Sequence, residues 1–242
     1  MASTGVLIVH GFTGSRATVA PLVPVAESLG FEWSLPQLRG HWTKAEDLRG
    51  VTYQDLLADA LAAFDGLRAT HEKVAIVGLS VGGLLALDIA SRRGSEVAAL
   101  AVLAPAISYV NSLTRLSGLI ARFVDTFSGD PTSGFSDPSY AANIENYASF
   151  PTATFLTIYR AARPIARRLG DISVPTLVIA ARHDRIVQPA ASQLVYNRLG
   201  SRQKELIWFE RSGHELLLDC ESATVCARIR DFLDQKIVRA RS

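Results

Sequence analysis

Short aliphatic and β-branched runs alternate along this chain with longer stretches in which apolar residues recur every three or four positions. Val6-Leu7-Ile8-Val9, Val74 to Val77, Ala98 to Leu103, Thr176 to Ala180 and Leu206 to Phe209 are continuous apolar segments bounded by turn residues, the pattern of strands buried on both faces. Between them the spacing predicts helices. Thr52 and Asp55 form a capping-box-like start ahead of Leu56, Leu57, Ala60, Leu61, Phe64 and Leu67. A helix near Ala20 to Leu29 is expected to stop at Gly30, and one starting around Pro189 to stop at Gly200. The last, Ser222 to Val238, carries Val225, Ile229, Phe232 and Leu233 at helical spacing. Strands alternating with helices predict an α/β fold: a mostly parallel sheet covered on both faces.

One stretch breaks this alternation. From Ile107 to about Asp171 no strand is evident, and two amphipathic helices are expected. The first carries Leu113, Leu116, Ile120, Phe123, Val124 and Phe127; the second runs from Thr152 to Leu169, with Pro164 expected to kink or interrupt it. A loop rich in Gly, Pro, Ser and Asp (Ser128 to Pro138) separates them. Some 65 residues between two core strands exceed an ordinary loop, so a small helical cap is the economical reading. The alternative is that these helices belong to the core packing.

Composition narrows the class. Of 242 residues, 48% are hydrophobic and 20% charged, with a net charge of +2, which excludes intrinsic disorder. So small a positive balance leaves no electrostatic footprint for nucleic acid; Arg160, Arg163, Arg167 and Arg168 on one helix face read as a solvated cap surface. The longest apolar run, Val97 to Ile107, is too short for a membrane helix, and Met1-Ala2-Ser3-Thr4 lacks the positive region of a signal peptide. A soluble, cytoplasmic protein is expected. Cys220 and Cys226, without a CxxC motif, read as small apolar fillers and not as a disulfide framework or metal site.

Chemistry concentrates at Gly78-Leu79-Ser80-Val81-Gly82-Gly83, between the strand Lys73 to Val77 and the apolar helix from Leu84. A serine at a sharp strand-to-helix turn is held in a strained conformation, and glycines two residues to either side let the chain segments approach closely. The turn lifts the hydroxyl above the sheet at a helix N-terminus, where developing negative charge is favoured. A serine nucleophile needs an oriented base. Among five histidines, His214 lies past the strand Leu206 to Phe209, at a carboxyl end where sites of open α/β sheets collect. His71 reads as a solvated residue. His183 and Asp184 are neighbours leaving a strand, so only one of them faces the site, and Asp184 is the expected acid holding His214. Asp219 is its rival. The order Ser80, Asp184, His214 is the one expected when an elbow serine heads the triad. His10-Gly11-Phe12-Thr13-Gly14 closes the first strand: the backbone N–H groups of Phe12 and Val81 are the candidate oxyanion donors, and His10 is expected to fix the loop by hydrogen bonds.

These motifs resemble the α/β-hydrolase superfamily, and more narrowly its small bacterial carboxylesterases and monoacylglycerol lipases. The resemblance covers nearly the whole chain: His-Gly-Phe-Thr-Gly at 10 to 14, Leu-Arg-Gly-His at 38 to 41, Glu-Asp-Leu at 46 to 48, Gly-Leu-Ser-Val-Gly-Gly at 78 to 83, Ala-Arg-His-Asp at 181 to 184 and Ser-Gly-His at 212 to 214. It implies a single α/β-hydrolase domain over residues 1–242, with a helical cap at about 107–171 inserted before the last two strands. It assigns the triad to Ser80, Asp184 and His214 and the oxyanion donors to Phe12 and Val81. The implied activity is a serine carboxylester hydrolase forming an acyl-enzyme on Ser80, with no cofactor and no metal. Short- to medium-chain esters or monoacylglycerols are the expected substrates, since the apolar cap suits an acyl chain. A thioesterase, acyltransferase or carbon–carbon hydrolase keeps the same triad, and a non-catalytic binding protein is the reading from another class. An apolar cap patch would serve a homodimer or a lipid surface equally. One departure bears on the site: the family usually reads Gly-His-Gly where this chain has Gly40-His41-Trp42. Tryptophan resists the positive φ that glycine allows, so this loop is expected to be reshaped or to present its ring near the pocket.

Overall fold

The computed structural model describes residues 3–111, 117–142 and 144–241. Its centre is a six-stranded sheet built from β1 (Thr4–Val9), β2 (Trp33–Ser34), β3 (Lys73–Leu79), β4 (Val97–Leu103), β7 (Thr176–Ala181) and β8 (Lys204–Phe209). The order is β2-β1-β3-β4-β7-β8, and every neighbouring pair is parallel. The continuous apolar runs now have their reason. Leu7 and Val9 face one apolar layer with Val74, Ile76, Leu100 and Val102, while Val6 and Ile8 face the other with Ala75, Val77, Ala99 and Ala101. A strand between two helical layers needs apolar side chains at every position.

The first layer is covered by α2 (Tyr53–Arg68), α3 (Val81–Arg93) and α6 (Pro189–Arg198), the second by α1 (Leu22–Ser28) and α7 (Ser222–Leu233). Thr52 and Asp55 form the expected capping box: the Asp55 N–H donates to the Thr52 hydroxyl, and the Thr52 N–H donates to the Asp55 carboxylate at 2.9 Å. Gly30 follows α1 with a φ of 71°, the left-handed stop that only glycine takes freely. The two-residue edge strand β2 had no alternating run to announce it.

The inserted segment differs from expectation in its first half. Leu113 and Leu116 lie outside the described residues. The amphipathic helix expected to run on to Phe127 is a single turn, α4 (Ser117–Ile120), followed by the strand β5 (Thr126–Ser128) paired antiparallel with β6 (Ser149–Pro151). Phe127 stands opposite Phe150, so its ring is satisfied by a cross-strand partner and not by a helix seam. In the second half, α5 (Thr152–Arg167) forms and Pro164 does not interrupt it. Pro164 and Arg160, the residue whose carbonyl it deprives of a partner, both lie on the solvent face, where water substitutes.

The buried side of α5 places Ile158, Ala162 and Ile165 in the same apolar cluster as α2 and α3. Arg168, just past its end, is not a solvated cap cation. Its guanidinium reaches the buried Asp88 carboxylate, which also takes Arg92 at 2.7 Å and the Tyr53 hydroxyl at 3.0 Å. Arg160, Arg163 and Arg167 are exposed as expected. No helix among the described residues is long and apolar enough to cross a membrane.

Candidate active site

Ser80 stands alone between β3 and α3 with φ 57° and ψ −116°, a strained turn for a residue with a side chain. The flanking glycines make it feasible. A Cβ on Gly78 would stand 2.4 Å from the Gly82 carbonyl oxygen, and one on Gly82 would stand 2.1 Å from that of Val9, so neither position admits a side chain. The turn is also pinned laterally: the Ser80 N–H donates to Leu103 at 2.8 Å, and the Ser80 carbonyl accepts from Ala106 at 3.1 Å. Val81 is the first residue of α3, so its N–H has no partner inside the helix.

His214 and Asp184 leave the ends of β8 and β7 and meet. The imidazole Nδ1–H donates to Asp184 Oδ2 at 2.8 Å, with both residues buried. The other Asp184 oxygen accepts the N–H groups of Ile186 at 2.8 Å and Val187 at 2.9 Å, which fixes the carboxylate against rotation. Burial alone would depress the His214 pKa, but the adjacent Asp184 carboxylate outweighs it, and the net direction is upward. His183 points into solvent while Asp184 is buried, as the strand-end argument requires.

Asp219, the rival acid, has a different task. Its carboxylate accepts the N–H groups of Gly213 at 2.7 Å, Ser136 at 2.7 Å and Cys220 at 2.7 Å, together with the Ser136 hydroxyl. Burial pushes this carboxyl up, the four donors outweigh it, and its pKa ends below the ordinary value. Asp219 thus clamps the residue before His214 to the inserted segment.

The loop after β1 is organised by two neutral histidines. His10 is fully buried: its Nδ1–H donates to the Gly11 carbonyl at 2.9 Å, and its Nε2 accepts the Leu38 N–H at 3.3 Å. Burial, then the neighbouring His41, push its pKa down to about 3. His41 accepts the Thr13 N–H at 3.1 Å, which orients the peptide after Phe12; burial depresses its pKa too. Trp42 overturns the expectation for its loop: it adopts the left-handed conformation itself, with φ 59°, and its ring packs 5.0 Å from the ring of His10 and not in the cavity. Packing of a large ring offsets the strain that glycine would avoid. His71, expected to be solvated, is half-buried, with Nδ1 bonded to the Leu67 carbonyl at 3.0 Å.

Ser80, Val81, Phe12 and His214 line one cavity of about 340 Å³. Its remaining walls are mostly apolar: Phe127 and Phe150 from the β5–β6 ribbon, Phe155 from α5, and Tyr109 and Ile186 from the loops after β4 and β7. Phe12, Phe150 and Phe155 pack ring to ring at 5.3 to 6.4 Å. Several polar residues of the lining, Asn146, Thr152 and Glu215 among them, had no signal in the apolar periodicity. Glu215 was open to notice only as the charged residue between His214 and the run Leu216-Leu217-Leu218. Among the described residues no cluster of His, Cys, Asp and Glu could hold a metal ion. Cys220 and Cys226 are free and half-buried.

Such an arrangement has the parts for nucleophilic acyl chemistry, and the relatives agree. The chain is 26% identical over 230 residues to a thermostable monoacylglycerol lipase from Bacillus sp. (strain H-257), covering 94% of this chain and 89% of that protein. It is 25% identical over 233 residues to a carboxylesterase from Bacillus subtilis (strain 168), covering 95% and 92%. A solved metagenome-derived lipolytic enzyme superposes with a TM-score of 0.88 at 26% identity, over 97% of this chain and 95% of that one. The monoacylglycerol lipase of Paleococcus ferrophilus, at 17% identity and a TM-score of 0.80 over 97% of both chains, shares the fold. A family profile described as serine aminopeptidase, S33, matches residues 2–221, and the chain belongs to that family, within the α/β-hydrolases.

Proposed function

We propose that this hydrolase of the esterase and lipase type cleaves short- to medium-chain carboxylic esters or monoacylglycerols through an acyl-enzyme on Ser80. The observation that carries this reading is the 2.8 Å His214–Asp184 bond beside the cavity that Ser80 lines. In this mechanism His214 Nε2 takes the Ser80 proton as the oxygen attacks the ester carbonyl, and the Phe12 and Val81 N–H groups receive the oxyanion. The tetrahedral adduct collapses, the C–O bond to the alcohol breaks, and His214 returns the proton to the departing oxygen. Water, deprotonated by the same imidazole, then attacks the acyl-enzyme and restores the Ser80 hydroxyl. Asp184 holds the Nδ1–H tautomer and stabilises the imidazolium. Asp219, further removed, positions the His214 loop.

Residues 107–171 serve in this reading as the cap of a single domain, fastened to the core by Ile158, Ile165 and the Arg168–Asp88 pair. The apolar walls receive the acyl chain. A cavity of about 340 Å³ is at the small end of ligand sites, which favours short and medium chains. The enzyme would act in the cytoplasm on a small neutral ester. Exposed Leu119, Phe123 and Val124 supply the cap patch for a homodimer or a lipid surface.

The test is a p-nitrophenyl ester series from two to sixteen carbons, extended to a monoacylglycerol against a diacylglycerol. Turnover is expected to peak at short or medium length and to favour the monoacylglycerol. Undiminished activity in Ser80→Ala would overturn the assignment of the nucleophile, and a monotonic rise to the longest chain would overturn the substrate class.

A further inference from the structure

Two carboxyl groups of the cavity lining take no part in the proposed reaction: Asp130, which is exposed and accepts from Thr132, and Glu215, which is not exposed. Glu215 lines the cavity directly after His214, and its carboxyl is held on one side only. Oε1 accepts the Asn146 side-chain N–H at 3.4 Å, and the Asn146 oxygen in turn accepts the Ser15 N–H at 3.0 Å. Oε2 is buried with no hydrogen-bond partner among the described residues, and the buried Ser15 hydroxyl beyond Asn146 is unpartnered as well. A buried carboxyl with an unfilled oxygen carries a desolvation cost that a ligand donor relieves. The terminal torsion of glutamate is broad and two-fold, so a small rotation exchanges the two oxygens at the cavity wall.

The position determines which part of a substrate would meet it. The departing alcohol oxygen must lie within hydrogen-bond reach of His214 to receive its proton, so the residue next to His214 borders the alcohol and not the far end of the acyl chain. The walls from Phe127, Phe150 and Phe155 are aromatic, and their rings offer an acyl chain no polar contact. Burial pushes the Glu215 carboxyl up, with His214 opposing and Asp184 and Asp219 adding to the shift. A carboxyl in either protonation state accepts a hydrogen bond from a hydroxyl.

We infer that Glu215, oriented by Asn146, is a specificity-determining residue that hydrogen-bonds a hydroxyl on the alcohol portion of the ester, so that hydroxyalkyl esters are cleaved in preference to isosteric alkyl esters. The inference rests on the serine-esterase reading and names the alcohol class for that same site.

The experiment compares 2-hydroxyethyl butyrate with n-propyl butyrate, which differ by a hydroxyl in place of a methyl, in wild type, Glu215→Leu, Glu215→Gln and Asn146→Ala. The readout is the ratio of kcat/KM for the two esters, which is insensitive to how much folded enzyme each preparation contains. Glu215→Leu is expected to lower the ratio roughly three- to tenfold, the worth of one buried hydrogen bond, with Glu215→Gln and Asn146→Ala intermediate. Fluorophosphonate titration of Ser80 counts intact sites in each preparation. A ratio unchanged in Glu215→Leu, with Ser80 still labelled and n-propyl butyrate still cleaved, overturns this inference and leaves the esterase reading standing. A stronger preference of wild type for 2-aminoethyl butyrate overturns it as well, by making the site cationic. Failure of wild type to cleave either ester or to take the label overturns both.

Discussion

Two buried aspartates flank His214, and replacing each by asparagine separates the base's partner from the loop's clamp. In Asp184→Asn the amide oxygen still accepts from Ile186 and Val187, so the loop keeps its shape. The group facing His214 Nδ1 becomes an NH₂ donor in place of an acceptor at 2.8 Å, which favours the wrong imidazole tautomer. The corresponding change in serine hydrolases lowers kcat by about 10⁴, or roughly 5.5 kcal/mol of transition-state stabilisation. Asp219→Asn fits best with its oxygen toward the Gly213 and Ser136 N–H groups and its NH₂ toward the Ser136 hydroxyl, which can accept, and the Cys220 N–H, which then loses its acceptor. One unsatisfied donor and the lost charge on the remaining bonds cost about 2 to 4 kcal/mol of stability. Its kcat is expected to fall far less than 10⁴ at temperatures where the fold persists. Urea denaturation paired with single-turnover p-nitrophenyl butyrate kinetics measures both quantities. The reasoning is refuted if Asp184→Asn keeps wild-type kcat, or if Asp219→Asn loses 10⁴ in rate at unchanged stability.

Three further outcomes follow from the same geometry. In the proposed mechanism His214 must be neutral, and the Asp184 carboxylate raises its pKa above 6.5, so kcat/KM should fall as pH drops, with its midpoint above 6.5; a midpoint below that value contradicts the pair. His10 is neutral in the fold, with its pKa lowered to about 3, so its contribution to stability is complete above pH 6.5 and is lost as pH falls toward 3. That loss reaches about 4 to 5 kcal/mol, and His10→Gln should flatten this acid limb in urea titrations between pH 7 and 4. Gly82→Ala would drive a methyl to 2.1 Å from the Val9 carbonyl oxygen and should cost about 3 kcal/mol or more with loss of fluorophosphonate labelling, whereas Gly66→Ala, in open space on α2, should stabilise by about 0.5 to 1 kcal/mol.

How much of this could be read from the residues depended on whether the information was local. The buried parallel strands announced themselves because two helical layers demand apolar residues at every position, and the caps at Thr52 and Gly30 because single residues satisfy them. Ser80, Asp184 and His214 could be ordered from motif and strand ends alone. What failed was non-local. Phe123, Val124 and Phe127 fit a helical period, yet Phe127 is satisfied across a ribbon by Phe150, twenty-three residues further on. The roles of Arg168 on Asp88 and of Asp219 on Gly213 and Ser136 depend on partners that no spacing connects. Trp42 failed for another reason: the strain of its left-handed backbone was rightly judged, but the ring packing that compensates it lies with His10, thirty-two residues upstream.

Strain itself maps the division of labour around the site. Among the described residues four non-glycines have positive φ: Thr13, Trp42, Ser80 and Ala104, each worth about 1 to 3 kcal/mol. All four lie beyond the carboxyl ends of β1 to β4. Two are tied to the neighbouring strand: Ser80 through its N–H to Leu103, and Ala104 through its N–H to Ile179 at 2.9 Å. The nucleophile side of the site is therefore enforced by the sheet. The loop carrying Phe12 is held otherwise. The Thr13 carbonyl accepts the Tyr147 N–H at 3.0 Å, Ser15 donates to Asn146, and the Tyr147 hydroxyl donates to Gly40 at 3.2 Å while accepting from Thr43. Residues 146 and 147 belong to the inserted segment, so the proposed oxyanion loop is held by the cap as well as by His10 and His41. A segment so attached does more than wall the cavity, because its displacement would disturb the loop carrying Phe12, to which it is bonded through Tyr147 and packed through Phe150 and Phe155.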